Sequence, residues 1–236
     1  RSVVLVDGDE VRARQVANQI ALKSAIEQYG LSKVFTFHGT VASAKSFVSD
    51  ESEGIRTHLD DFKTEHIEGK MNTARRDQLM RDFERESKAI LSNARCLTEG
   101  VDVPVVDMVA FMSPKRSLVD IVQATGRALR ISKDTGKRYG YVLVPLYVEK
   151  ERGERVEEAI LRSNFDEVWR VLQGMQEQDD LLSQSIKNMR IERGRTGGFD
   201  DAQFRESVEV LGPQITLELI RESITAKCID AIGENE

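Results

Sequence analysis

Residues 89–131 read AILSNARCLTEGVDVPVVDMVAFMSPKRSLVDIVQATGRALRI, and this stretch decides the fold. It contains two apolar runs, Ala89–Leu91 and Val105–Met112, each followed by a loop with polar or charged side chains. Short apolar runs bounded by turn residues are typical of buried strands. The stretch closes with the segment Gln123–Arg130, which holds two arginines three residues apart. Residues at that spacing share one face of a helix.

The two arginines are Arg127 and Arg130, and Gly126 directly precedes the first of them. A glycine permits close approach of a ligand to the backbone. Planar guanidinium groups bind phosphate through paired hydrogen bonds. The segment therefore predicts a phosphate-binding site.

The sequences TEGVDVP (residues 98–104) and QATGRALR (residues 123–130) resemble motifs V and VI of superfamily 2 helicases and translocases, the DEAD/DEAH-type enzymes. The likeness covers residues 20–148 and is closest to predicted bacterial DNA helicases related to restriction-enzyme motor subunits. In that family these motifs belong to the second of two RecA-like domains. The resemblance implies a motor that uses ATP and Mg²⁺, both held mainly by an upstream RecA-like domain that this chain lacks.

Strands alternate with helices between residues 33 and 148, which predicts βαβ units. We expect an α/β fold: a RecA-like, mostly parallel sheet sandwiched by helices, with a C-terminal helical extension. The predicted division has an initial strand and helix of the upstream half in residues 1–30. The helicase C-terminal RecA-like domain follows in residues 31–148, and an acidic helical extension in residues 149–236.

The resemblance implies that Arg127 and Arg130 reach across the cleft between the two RecA-like domains to the γ-phosphate of ATP. Positive charge at that place stabilises the negative charge that develops in phosphoryl transfer, so both arginines are predicted to be catalytic. Salt bridges on a helix surface are the alternative for the arginines, and a turn with a capping aspartate is the alternative for motif V. The implied nucleotide-binding residues are Gln123, Gly126, Gly100 and Asp102.

A nucleic-acid surface is implied as well. The strand Lys33–Phe37 and the turn after it resemble motif IV, whose loop contacts the nucleic-acid backbone in the family. Amides and hydroxyls exposed at a helix start suit phosphate. The predicted contacts are His38, Thr40, Ser43, Asn93, Thr98 and Arg75.

Two of these contacts have ordinary alternatives: a hydrogen-bonded structural role for His38, and a solvated helix face for Arg75. Motif V also departs from the family. Many relatives have a threonine phosphate ligand where this chain has Ala94, which leaves Ser92, Asn93 or Thr98 to replace it.

The net charge of −6 conceals an uneven distribution. Residues 149–236 hold 12 basic and 20 acidic side chains, whereas residues 1–148 hold 22 and 20. Seven basic and two acidic residues fall within Met112–Arg138. Basic charge near the predicted site favours a polyanionic partner, although an ordinary solvated face is the alternative. By the family likeness the partner is DNA rather than RNA.

Other features narrow the class of protein. The apolar runs are too short to cross a bilayer, and two cysteines give neither a metal cluster nor a disulfide framework, which fits a reducing cytoplasm. The family resemblance implies that this cytoplasm is bacterial. No Walker A sequence occurs, so we expect the chain alone to hydrolyse no ATP. The start at Arg1 instead of methionine suggests a fragment.

Beyond Glu149, apolar residues fall at helical spacing, and residues 193–199 (RGRTGGF) predict a flexible break. This acidic helical part would pack on the RecA-like domain or contact restriction-modification or repair partners. Two functions from other classes stay open. One is a non-catalytic nucleic-acid-binding module with a relic helicase fold, and the other is a protein-interaction module.

Overall fold

A computed structural model describes residues 9–49, 54–94, 105–112, 126, 139–146, 148, 150–163, 165–211 and 214–230. The described residues divide between residues 145 and 146 into two compact units. The initial strand predicted within residues 1–30, which corresponds to Ser2–Val6 (SVVLV), lies outside the described residues. The domain limits drawn from the sequence stay a prediction.

The first unit is built on a sheet. Its described strands are β1 (Lys33–Phe37), β2 (Lys63–Glu68), β3 (Ala89–Ala94), β4 (Met108–Phe111) and β5 (Tyr141–Leu143). The spatial order is β2-β3-β1-β4-β5, and every neighbouring pair is parallel. The prediction of an α/β fold with a mostly parallel sheet is confirmed.

The degree of burial accounts for the composition of the strands. Every residue of β1, β3 and β4 is buried, as expected for parallel strands with both faces covered. The edge strand β2 instead mixes buried residues such as Thr64 and Ile67 with exposed and half-buried ones. Strand β4 is shorter than the predicted run Val105–Met112, because its pairing with β1 starts at Met108.

Three described helices belong to the sheet unit: α1 (Asp9–Tyr29), α2 (Val41–Phe47) and α3 (Thr73–Arg85). Helix α1 buries Leu22, Ala25 and Ile26. The side-chain amide of Asn18 on this helix donates to the carbonyl of Met112, just beyond β4, at 3.1 Å. Helix α1 ends at Gly30, whose φ of +63° is the left-handed conformation that glycine adopts without strain.

Two polar side chains, the half-buried Asp107 and the buried Lys33, stabilise the amino edge of the sheet. Asp107 Oδ2 accepts hydrogen bonds from the backbone N–H of Ser32 (2.9 Å), the Ser32 hydroxyl (2.9 Å) and the backbone N–H of Lys33 (2.8 Å). The ammonium of Lys33 donates to the carbonyls of Phe83, Glu84 and Glu86 at the end of α3. These carbonyls lack partners within the helix, so Lys33 caps α3. Burial lowers the pKa of Lys33.

The second unit is helical in its described part. It contains α4 (Val156–Arg162), α5 (Asp166–Gln176), α6 (Asp180–Thr196), α7 (Ala202–Ser207) and α8 (Gln214–Asp230). The predicted C-terminal helical extension is therefore confirmed. The Arg190 guanidinium of α6 lies 5.6 Å from the Trp169 ring centroid, and its Nη2 donates to the Cys228 carbonyl at 2.6 Å. Burial raises the pKa of the Cys228 thiol to about 12, so this cysteine is inert at neutral pH.

The flexible break predicted at residues 193–199 is wrong for most of its length. Helix α6 continues through Gly194 to Thr196 and ends only at Gly197, whose φ is +76°. The guanidinium of Arg193 lies 3.3 Å from the Asp230 carboxylate of α8, so an ion pair connects the last turn of α6 to α8.

Replacing Lys33 with methionine keeps the aliphatic stem but removes the ammonium that caps α3. We expect the free energy of unfolding to fall by about 1–3 kcal/mol, because the buried carbonyl of Phe83 and two partly buried carbonyls lose their donor. Urea unfolding measures the change. Lys63→Met, which removes a half-exposed lysine of the same unit, is the control and should change stability by less than about 0.5 kcal/mol. Equal loss in both variants would contradict the capping role.

Candidate nucleic-acid interface

Because the sheet is parallel, the carboxyl ends of its strands meet at one edge, where ligands of open α/β sheets bind. His38 follows β1, Glu68 ends β2, Ala94 ends β3, and Met112 follows β4. The described residues that the sequence assigned to nucleic acid lie at this edge or in the helices that start there. They are His38, Thr40, Ser43, Asn93 and Arg75.

His38 is enclosed rather than presented to a ligand. Its residue exposure is 3%, its Nε2 lies 3.1 Å from the Thr36 hydroxyl, and its ring centroid is 4.8 Å from that of Phe47. Its backbone N–H donates to the Asn93 carbonyl at 3.0 Å. This placement favours the alternative that the sequence left open, a hydrogen-bonded structural histidine.

The side chains of Ser92 and Asn93 are also buried, with no exposed surface. The Ser92 hydroxyl donates to the Ala44 carbonyl of α2 at 2.7 Å. The Asn93 amide donates to the Thr36 carbonyl at 3.1 Å, whereas its Oδ1 is buried without a hydrogen-bond partner. Ser92 and Asn93 are two of the three candidates to replace the threonine that many relatives have at the position of Ala94. Both side chains make hydrogen bonds inside the protein and are not exposed to a ligand. The third, Thr98, lies outside the described residues.

Thr40 and Ser43 are accessible at the start of α2. The Thr40 hydroxyl oxygen accepts from the backbone N–H of Ser43 at 3.0 Å, and the Ser43 hydroxyl oxygen lies 3.4 Å from the backbone N–H of Thr40. This reciprocal capping box fixes the first turn of the helix. It leaves the partly exposed hydroxyls at the surface of the carboxyl edge.

Helix α3 presents two arginines in and just after its first turn. Asn72 caps the helix, and its side-chain oxygen accepts from the backbone N–H of Arg75 at 2.8 Å. The Arg75 side chain is exposed, as a phosphate contact requires. The neighbouring Arg76 is half-buried, and its Nε is enclosed without a hydrogen-bond partner.

A cluster of Lys45, Glu68 and His66 at the end of β2 was not predicted from the sequence. Lys45 Nζ of α2 lies 3.2 Å from Glu68 Oε1, and His66 Nε2 lies 3.7 Å from Glu68 Oε2. The hydrogen bond from Lys45 lowers the pKa of the Glu68 carboxyl. Burial lowers the pKa of His66, although the Glu68 carboxylate opposes that shift. The pairing of Lys45 with Glu68 spans 23 residues, so no local sequence signal predicts it.

The predicted nucleotide site falls almost wholly outside the described residues. Gly126 is described, in helical conformation and half-buried. Outside the described residues lie Gln123, Arg127, Arg130, Gly100 and Asp102. Within the described part, no group of three or more acidic, cysteine or histidine side chains is placed to hold a metal ion. No helix of that part is long and apolar enough to cross a membrane.

Part of this chain is similar to a known family of protein domains. Residues 18–132 match the model of the helicase conserved C-terminal domain. A mitochondrial ATP-dependent RNA helicase of Lodderomyces elongisporus, MSS116, is 27% identical over 156 residues, which cover 64% of this chain and 22% of that protein. A 51.5 kDa protein of a Lactococcus phage (isolate 7-9) is 29% identical over 98 residues, which cover 42% of this chain and 20% of that protein. The chain thus spans about a fifth of the length of these relatives.

A solved structure supports the same fold. The ATP-dependent Type ISP restriction-modification enzyme LlaBIII, bound to DNA, aligns with a TM-score of 0.65 at 24% identity, over 93% of this chain and 15% of that one. The sheet and these matches define the class of protein, a RecA-like α/β domain followed by helices. Residues 18–132 match the helicase conserved C-terminal domain, which confirms the resemblance to the C-terminal domain of superfamily 2 helicases drawn from the motifs.

The burial of His66 predicts a pH dependence of stability. Its folded-state pKa lies below the ordinary 6.5, so the unfolded state binds the proton more readily. The free energy of unfolding should therefore fall as the pH drops below about 6.5, by at most ~1.4 kcal/mol per pH unit from this group. Urea unfolding at pH 7.5 and 5.5 should show a smaller loss for His66→Phe than for wild type. An NMR titration that placed the pKa of His66 at or above 6.5 would refute this prediction.

Proposed function

We propose that this chain is the C-terminal motor half of an ATP-dependent nucleic-acid helicase or translocase. The observation that carries the proposal is the family match over residues 18–132, on a parallel sheet whose carboxyl edge presents Thr40, Ser43 and Arg75. Short polar side chains and an arginine are the groups that proteins use to hold the sugar-phosphate backbone. The edge therefore suits a single strand held by its phosphates.

ATP would bind between this domain and an N-terminal RecA-like domain of the whole protein. Mg²⁺, held mainly by that other domain, would neutralise charge on the phosphates. Arg127 and Arg130 would supply positive charge to the γ-phosphate from this side of the cleft, with Gln123, Gly126, Gly100 and Asp102 as further nucleotide contacts. Closure and opening of the cleft would then move the strand across the carboxyl edge.

DNA is the proposed polymer, and the proposed setting is a bacterial cytoplasm with restriction-modification or repair partners. Both rest on the resemblance of TEGVDVP and QATGRALR to the motors of restriction enzymes. The curated relative named above is an RNA helicase, so RNA is the competing polymer. Stimulation of ATP hydrolysis by matched DNA and RNA strands decides between them.

The full-length protein should hydrolyse ATP faster when single-stranded nucleic acid is added. Arg127→Ala should reduce that turnover by about a thousandfold or more while binding of a fluorescent ATP analogue persists, because an arginine finger acts on the transition state. Arg195→Ala, which removes an exposed arginine of α6, is the control and should leave turnover unchanged.

The isolated 236-residue chain should hydrolyse no ATP in the same assay. Appreciable hydrolysis by the isolated chain would refute the shared ATP site. Full activity of Arg127→Ala would refute the arginine finger. Absence of ATP hydrolysis by the full-length protein would leave a nucleic-acid-binding or protein-interaction module with a relic helicase fold.

A further inference from the structure

The end of strand β3 lacks a phosphate ligand of its own. Its last residue, Ala94, has no hydroxyl, and the hydroxyl of Ser92 donates its hydrogen bond to the carbonyl of Ala44. Asn93 is buried on the hydrogen bond to Thr36. A strand that crosses the carboxyl edge at this point would therefore find no donor among the side chains that end β3.

The neighbouring strand β2 ends in a carboxylate that holds a cation of α2 beside the end of β3. Glu68 pairs directly with Ala94 in the register of β2 and β3. Its carboxylate holds Lys45 Nζ at 3.2 Å, with the Lys45 side chain 54% exposed and that of Glu68 16% exposed. A half-exposed ammonium is thus held beside the position that lacks a donor.

The backbone that carries Lys45 is fixed by buried contacts. Ser92 binds the carbonyl of the preceding residue, Ala44, and Phe47 of the same helix packs on the His38 ring. The capping box of Thr40 and Ser43 holds the first turn of the helix. Only the side chain of Lys45 needs to move for its ammonium to leave Glu68.

We propose that Lys45 binds a backbone phosphate of the nucleic-acid strand and that Glu68 holds its ammonium when the strand is absent. The phosphate competes with the carboxylate for the same ammonium, so Glu68 weakens binding and restrains Lys45 at the edge. This inference rests on the proposed nucleic-acid function and adds a ligand to it. The group recognised is a phosphodiester, which DNA and RNA share.

Lys63 is a matched control for Lys45, and it lies on β2, the strand that carries Glu68. Lys63 Nζ lies 3.6 Å from Glu65 Oε1, and the Lys63 side chain is 52% exposed, close to the value for Lys45. Lys63 begins β2 at the amino edge of the sheet, and its backbone N–H donates to the Lys88 carbonyl. Removal of either lysine changes the net charge equally, but only Lys45 lies at the carboxyl edge.

The first test is the salt dependence of binding of the 236-residue chain to fluorescent oligo-dT and oligo-rU. For a single strand, the slope of log K against log salt changes by about 0.7 for each phosphate neutralised. We expect Lys45→Met to lower the magnitude of the slope by about that amount, and Lys45→Arg and Lys63→Met to keep the wild-type slope. A wild-type slope in Lys45→Met, or an equal reduction in Lys63→Met, would overturn the inference.

The second test is a double-mutant cycle. Glu68→Gln should tighten binding severalfold when Lys45 is present, and by no more than Glu65→Gln when Lys45 is methionine. An equal gain in both backgrounds would show a general charge effect and overturn the role of Glu68. If wild-type chain binds neither oligonucleotide, the proposed nucleic-acid function itself fails. Binding that is salt-dependent but indifferent to Lys45 overturns this inference alone.

Discussion

The parallel register of the sheet is the constraint on which the rest of the structure depends. Strand β1 lies between β3 and β4, with Phe35 paired to both Leu91 and Val109. All three residues are buried, at 2% exposure or less. Burial on both faces fixes this register, because a shift by one residue would exchange the side chains of the two faces. The carboxyl ends therefore meet at one edge, and the helices that follow begin there.

The same constraint explains why the polar residues at that edge differ in role. Thr36, His38 and Ser92 lie in or directly after buried strands, so each has a hydrogen-bonding partner that offsets the loss of water. These interactions hold α2 and the strand ends in place. The residues left for a ligand lie further along the chain, at the start of the helices that follow the strands or within them, such as Thr40, Lys45 and Arg75. Buried groups thus position the edge, and exposed ones are the candidates for contact.

Much of this fold could be predicted from the sequence, because its strands are continuous apolar runs. Strand β1 was predicted with its observed bounds, since KVFTF is short and β-branched or aromatic at four of its five positions. The paired motifs predicted the helicase family whose C-terminal domain model matches residues 18–132. Helix α1 ends at Gly30, because the left-handed conformation at this helix end favours glycine.

What the sequence could not reveal depends on burial and on contacts between distant residues. Asn93 lies one residue before the end of β3, at the carboxyl edge, but its side chain has no exposed surface, because it turns inward to the Thr36 carbonyl. The pair of Lys45 and Glu68 depends on how α2 lies across the sheet, which no local pattern encodes. The glycines within residues 193–199 led to the wrong prediction of a flexible break. Helix α6 continues to Thr196, and Arg193 forms an ion pair with Asp230.

The most direct test of the central claim is a structure of the full-length protein with a non-hydrolysable ATP analogue and a single-stranded oligonucleotide. We expect the phosphodiester backbone to cross the carboxyl edge beside the starts of α2 and α3. We also expect the guanidinium groups of Arg127 and Arg130 to lie within hydrogen-bond distance of the γ-phosphate. A strand bound away from this edge, with both arginines directed away from the nucleotide, would contradict the account.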